Sequence, residues 1–143
     1  MSRELDDLLD EVRLLWHVAV QATERLHDGE AVTVGMRAVL EFLARNGPTP
    51  VPDIARSRLV TRQHIQSLVN GLLELRLVSL EDNPAHRRSP LVQLAPEGER
   101  TIERMKRRER RFLDGLELQA SPDELRRAAA TLGAIRATLG GRR

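Results

Sequence analysis

The sequence contains no cysteine and no tyrosine, and its only aromatic side chains are Trp16, Phe42 and Phe112. The missing thiols exclude disulfides, thiol-based redox sensing and cysteine–zinc sites. So few rings leave a core built mainly of Leu, Val and Ala, which favours packed helices over a β-sandwich. Lysine is nearly missing as well: of 23 basic residues only Lys106 is lysine. Arginine offers planar, bidentate contacts to phosphate or guanine, although codon usage in a GC-rich genome is the simpler source of the overall count. No apolar run approaches the ~20 residues of a membrane span. The opening MSRELDDLLDE is too acidic for a signal peptide, so a soluble, cytoplasmic protein is expected. The four histidines, His17, His27, His64 and His86, show no i, i+3 or i+4 pairing, so no metal site is expected. No Gly-rich phosphate loop and no nucleophile motif occurs, so neither an enzyme nor a cofactor is expected.

At 143 residues, 41% of them hydrophobic, the chain can form one compact domain with a core. Its net charge is only +2 but is unevenly spread. Residues 1–30 carry three Arg against eight Asp and Glu, a net of −5. Residues 56–90 carry six Arg against Glu74, Glu81 and Asp82, a net of +3.

The basic part coincides with the most informative stretch, residues 50–95. It reads as short helix, turn, longer helix and a hairpin with a basic tip. On a helical wheel, Ile65, Leu68, Val69, Leu72 and Leu75 form one stripe of the longer helix. Gln63, Gln66, Ser67, Asn70 and Glu74 fall opposite, with Arg62 and His64 at its start. A face that needed only solubility would normally carry Lys and Glu. Gln and Asn pair bidentately with adenine edges, and Ser serves several bases, so this face suits a DNA major groove. An ordinary solvated polar face is the plainer alternative, and Gln-rich faces also occur at protein contacts. Thr61 is placed to cap the helix. Before it, a short helix begins near Pro52, with Ile54, Ala55 and Leu59 expected to face inward. After it, the β-prone segment 76–81, the loop 82–90 and the strand 91–94 make a two-stranded hairpin with Arg87 and Arg88 at its tip. An Arg at such a tip can enter a narrow minor groove.

Long helices flank this stretch. Residues 3–27 place Leu5, Leu8, Leu9, Val12, Leu15, Trp16, Ala19 and Val20 at helical spacing. A second chain or the chain's own body can cover that stripe. A second helix follows over 33–46, capped by Thr33, with Met36, Val39, Leu40 and Leu43 inward. A long helix is expected from Pro96 to about Leu118, with Ile102, Met105, Phe112 and Leu116 on one stripe and Glu109 a polar interruption of it. Ser121-Pro122-Asp123-Glu124 signals the start of a last helix that would bury Leu125, Ala128, Ala129, Leu132, Ile135 and Leu139. The closing GGRR reads as a frayed tail.

This order of elements resembles the MarR family of bacterial winged helix-turn-helix regulators. The most specific match is NPAHRRSPLVQLAPEG (83–98), similar to the family's wing pattern of Asn/Asp-Pro, two residues, Arg-Arg, a strand and Leu-Thr-Pro-x-Gly. VTRQHIQSLVNGLLELRLV (60–78) is similar to its recognition helix and the turn into the wing. The resemblance implies a mainly α fold with a small β-hairpin wing. It implies a winged helix-turn-helix lobe at 33–95, and a helical dimerisation region at 1–32 and 96–143 in one intertwined domain. It implies a homodimer that places two recognition helices on a pseudo-palindromic double-stranded DNA site, half-sites about 34–36 Å apart. The DNA-contacting residues would then be Thr61, Arg62, Gln63, His64, Gln66, Ser67 and Asn70 of the helix, and His86, Arg87, Arg88 and Ser89 of the wing. Family members commonly repress an adjacent gene and are released by a small aromatic or anionic ligand. For such an effector the residues themselves suggest Trp16, His17, Val20, Met36 and Leu40, which are equally ordinary core positions.

Four departures from the family pattern stand out. His86 replaces the acidic residue that orients the Arg pair, which predicts a looser or pH-sensitive wing. Arg76 replaces a glycine, which disfavours a left-handed cap there. Leu80 replaces a basic residue, and Ala95 replaces the Thr that would cap the next helix. The competing function is a dimeric protein–protein interaction module on the same fold without DNA binding. Such a module has no need of a Gln/Asn face aligned with a basic wing.

Overall fold

The fold is built around the helix that reads as amphipathic in the sequence. In a computed structural model, which describes residues 1–141, it is α4, Arg62–Glu74. The elements preceding it are α1 (Ser2–Leu26), α2 (Val34–Asn46), β1 (Thr49–Pro50) and α3 (Val51–Arg58). Those following are β2 (Val78–Glu81), β3 (Leu91–Leu94), α5 (Pro96–Asp114) and α6 (Pro122–Gly140). The fold is mainly helical, a winged helix-turn-helix. Its helices start where the caps predict. Thr33 accepts from the Met36 amide at 3.2 Å, and Thr61 from the His64 amide at 3.1 Å.

The core collects one face from each of α2, α3 and α4. Val39, Leu40 and Leu43 of α2, Ile54 and Ala55 of α3, and Ile65, Val69 and Leu72 of α4 are buried together. Leu77, Val78 and Val92 close it from the sheet side, and Ile102 and Met105 of α5 from the end. Nearly all are aliphatic, as the scarcity of rings requires. Gly71 lies over Met36, whose methyl occupies the space a β-carbon would need.

Several details differ from the sequence reading. The hairpin is not two-stranded: Thr49 and Pro50 pair antiparallel with Val92 and Leu91, giving the order β1-β3-β2. That third strand covers an otherwise open edge of β3, and its Pro sits on the outer strand, where a missing N–H costs nothing. Leu59 does not face inward. It is 83% exposed and left-handed, φ 55°, because α3 ends there with the Val60 amide bonded back to the Ala55 carbonyl at 3.1 Å. Arg76 likewise is left-handed, φ 57°, although it is not glycine. Its amide bonds Leu73 and the Leu77 amide bonds Leu72, both at 3.0 Å, closing α4 with a Schellman motif. That closure turns Leu77 and Val78 into the core, and their burial outweighs the backbone strain at Arg76.

The chain divides into two compact units, residues 1–111 and 112–143. In the first, α1 has no buried residue, and Leu14, Leu15, Trp16 and Val18 are exposed. In the second, α5 ends at Asp114 rather than near Leu118, and Phe112 and Leu116 are each 42% exposed rather than inward. The capping box of α6 forms as expected, with Ser121 accepting from the Glu124 amide and the Glu124 carboxylate accepting from the Ser121 amide at 2.8 Å. Its apolar positions, however, are not buried within the chain; Leu125, Leu132 and Leu139 are exposed. Of the predicted frayed tail, Arg142 and Arg143 lie outside the described residues. Among the described residues no helix is long and apolar enough to cross a membrane.

Candidate nucleic-acid interface

The residues that bury α4 also fix which of its side chains meet solvent. With Ile65, Val69 and Leu72 inward, Arg62, Gln63, His64, Gln66, Ser67 and Asn70 are all exposed along the opposite side. The face is partly organised before anything binds it. Gln66 Nε2 donates to Asn70 Oδ1 at 2.9 Å, one turn along the helix. That bond uses one amide hydrogen of Gln66 and leaves its oxygen and second hydrogen free, the pair a bidentate base contact needs.

The wing approaches the start of this face. Arg62, Gln63 and Gln66 share a cleft of about 310 Å³ with Arg88, Ser89 and Pro90 of the wing. Val51, Pro52, Leu80 and Val92 form its apolar floor. Arg87 lies apart, lining a separate hollow with Asp82, Asn83 and Pro84. The adjacent arginines of the sequence thus line different hollows. Neither forms an ion pair among the described residues. Asn83 shapes the tip: its Nδ2 donates to the Ser89 carbonyl at 2.9 Å and its Oδ1 accepts from the Ala85 amide at 3.1 Å. The His86 amide adds a bond to the Asn83 carbonyl at 3.2 Å. His86 itself is exposed at the tip.

The residues suggested for an effector are only partly brought together. Trp16 and Val20 of α1 line a groove of about 410 Å³ with Val34, Gly35, Arg37 and Glu41 of α2 and Arg58 of α3. Met36 instead packs beneath α4, Leu40 is fully buried, and His17 is exposed outside the groove. Reading the residues one by one also passes over Arg37 and Glu109. Glu109 Oε1 lies 2.7 Å from His27 Nε2, and Oε2 accepts from Arg37 Nη2 at 2.6 Å. The available signal was a carboxylate inside an apolar stripe, which is costly to bury without a partner. Among the described residues no cluster of metal-ligating side chains occurs.

A buried helix-turn-helix, an exposed amide face on its second helix and a basic wing beside that face define a winged helix-turn-helix transcriptional regulator. The comparisons agree with that class. The sequence model of the MarR family matches residues 37–89, from α2 to the tip of the wing. The uncharacterized protein Rv2011c of Mycobacterium tuberculosis is 39% identical, over 95% of this chain and 99% of that protein. A crystal structure of a MarR family transcription regulator superposes with a TM-score of 0.80 at 29% identity, over 100% of this chain and 99% of the other. The Staphylococcus aureus MarR, solved with salicylate and kanamycin, shares the fold with a TM-score of 0.88 at 16% identity, over 96% of this chain and 93% of the other. The chain belongs to the MarR family.

Proposed function

We propose that this chain is a dimeric, sequence-specific DNA-binding repressor of adjacent genes, released by a small aromatic or anionic ligand. The observation that carries the DNA reading is the shared cleft: Arg62, Gln63 and Gln66 of α4 meet Arg88 and Ser89 of the wing on one exposed surface. In this reading α4 enters a major groove, where Gln66 and Asn70 address base edges and Arg62 grips phosphate. Thr61, Gln63, His64 and Ser67 border the contact. The wing, with His86, Arg87, Arg88 and Ser89, follows the backbone toward the flanking minor groove.

Dimerisation fits the exposed apolar surface. A second copy would cover Leu14, Leu15 and Val18 of α1 and Leu125, Leu132 and Leu139 of α6, which one chain leaves in water. The helices at 1–32 and 96–143 would then form the dimerisation region and 33–95 the reading lobe. For the effector, the groove beside Trp16 and Val20 offers a ring face and the Arg58 guanidinium. The staphylococcal relative's salicylate is a ligand of that chemistry. The test is a gel shift on the DNA upstream of the chain's own gene. Binding at ~50 mM salt that weakens steeply as salt rises is expected, because phosphate contacts release counterions. Absence of any shift at that salt would defeat the reading in favour of a protein–protein module.

A further inference from the structure

We propose that Glu109 is a positioning residue, the joint through which the end of α1 holds the reading lobe. Helix α1 has no fully buried residue, and at its C-terminal end Ala22 and Leu26 are only half-buried. Polar groups also meet it there. His27, directly after α1, is buried, its side chain 5% exposed. Its Nε2 faces Glu109 at 2.7 Å, and its Nδ1 lies 3.4 Å from Arg108 Nη1. Both are α5 residues. Arg104 and Arg108 also reach Glu30, in the α1–α2 connection, at 3.4 Å each.

Glu109 carries that contact on to α2. Both of its oxygens meet the Arg37 guanidinium, which is also held by Glu41 at 2.9 Å. Arg37 precedes by one turn the residues of α2 that are buried with Ile65, Val69 and Leu72 of α4. A continuous path therefore runs from the end of α1 through Glu109 and Arg37 into the seat of α4. An apolar residue at 109 would complete the stripe of Ile102 and Met105, yet it would leave His27 and Arg37 without their partner. Relative to apolar packing a partly buried ion cluster adds little net stability, and its directional contacts can select one geometry over others. Here the selected geometry is that of α1 against the reading lobe.

The consequence for DNA rests on the DNA-binding reading, but the joint can be measured without it. The chain has no cysteine, so Glu11→Cys and Glu74→Cys on exposed positions of α1 and α4 accept two spin labels specifically. Labelled chain diluted into excess unlabelled chain then reports one intramolecular distance. A single narrow distribution is expected for the parent, and a broadened or split one for Glu109→Gln. Glu109→Asp, which keeps the charge and shortens the reach, should fall between them and serves if Glu109→Gln melts early. Glu109→Gln should also weaken binding to the upstream fragment by about 3- to 30-fold, with binding to random DNA unchanged. An unchanged distance distribution, or equal loss on specific and random DNA, overturns the proposal. If the parent binds no DNA, the DNA reading fails and the label distance alone decides the joint.

Discussion

Gly98→Ala should be among the most damaging single-methyl substitutions in the chain. A β-carbon at this position would lie 2.1 Å from the Leu77 carbonyl oxygen and 2.9 Å from Leu94 Cδ1. The obstacle is backbone, so no rotamer change relieves it, and the first turn of α5 must retreat by about 1 Å to restore van der Waals distance. That same carbonyl accepts the Ala95 amide at 3.0 Å, a bond the retreat breaks. Forcing a methyl into a packed site costs about 1–3 kcal/mol, and stranding the pair adds about 1–2 kcal/mol. Alanine returns about 1 kcal/mol through helix propensity. The net loss is about 1–4 kcal/mol, a fall in melting temperature of roughly 3–15 °C for a chain of this size. Thermal melts by far-UV circular dichroism, together with a urea titration, measure it. Equal or greater stability would show that α5 does not pack on the α4–β2 junction as described.

Arg76→Gly should raise stability by about 0.5–1 kcal/mol, because glycine adopts the left-handed φ of the Schellman motif without the side-chain penalty; a lower urea midpoint would contradict the motif. Gln66→Ala should lower discrimination between operator and mutated DNA by about 1–3 kcal/mol while sparing non-specific affinity, and competition binding that shows equal losses would remove Gln66 from base reading. Arg62→Ala, Arg87→Ala and Arg88→Ala should each weaken binding across sequences and reduce the salt slope by about one unit for each phosphate no longer neutralised. The Glu124 carboxyl is held below the usual carboxylate range by the Ser121 hydroxyl and, second, the Ser121 amide. A depressed folded value means its contribution is complete above the unfolded carboxylate value of 4.5 and disappears as pH falls through the folded one. The protection of amides at the start of α6, taken relative to the intrinsic exchange rate at each pH, should therefore fall on going from pH 6 to below that range, and a Glu124→Gln variant should not show the change.

What was legible in the sequence was local. Thr33, Thr61 and Ser121 announce helix starts because a cap needs only residues three positions apart. The stripe through Ile65, Val69 and Leu72 announces both the buried face of α4 and, by subtraction, the candidate reading face. What escaped depends on partners distant in the chain. β1 is two residues long and exists only because β3 presents an edge to it. Arg76 takes a glycine's conformation because the core recruits Leu77 and Val78 immediately after it. Glu109 looks like a defect in a stripe until His27 and Arg37, 82 and 72 residues away, are set beside it. The apolar positions of α6 follow the periodicity of a buried helix, but periodicity cannot say whose surface does the burying.

The wing tip carries a consequence for how such a protein changes over time. Asn83 grips the tip from its root, tying Ala85 and Ser89 through one side chain. The three residues at the crest, His86, Arg87 and Arg88, contribute no side chain to that grip. A loop held from its base can be rewritten at its crest, because new side chains there inherit a backbone already in place. The departure at His86 is then a change of lettering on a fixed frame, and a laboratory library confined to those three positions would vary what the wing touches without rebuilding the wing.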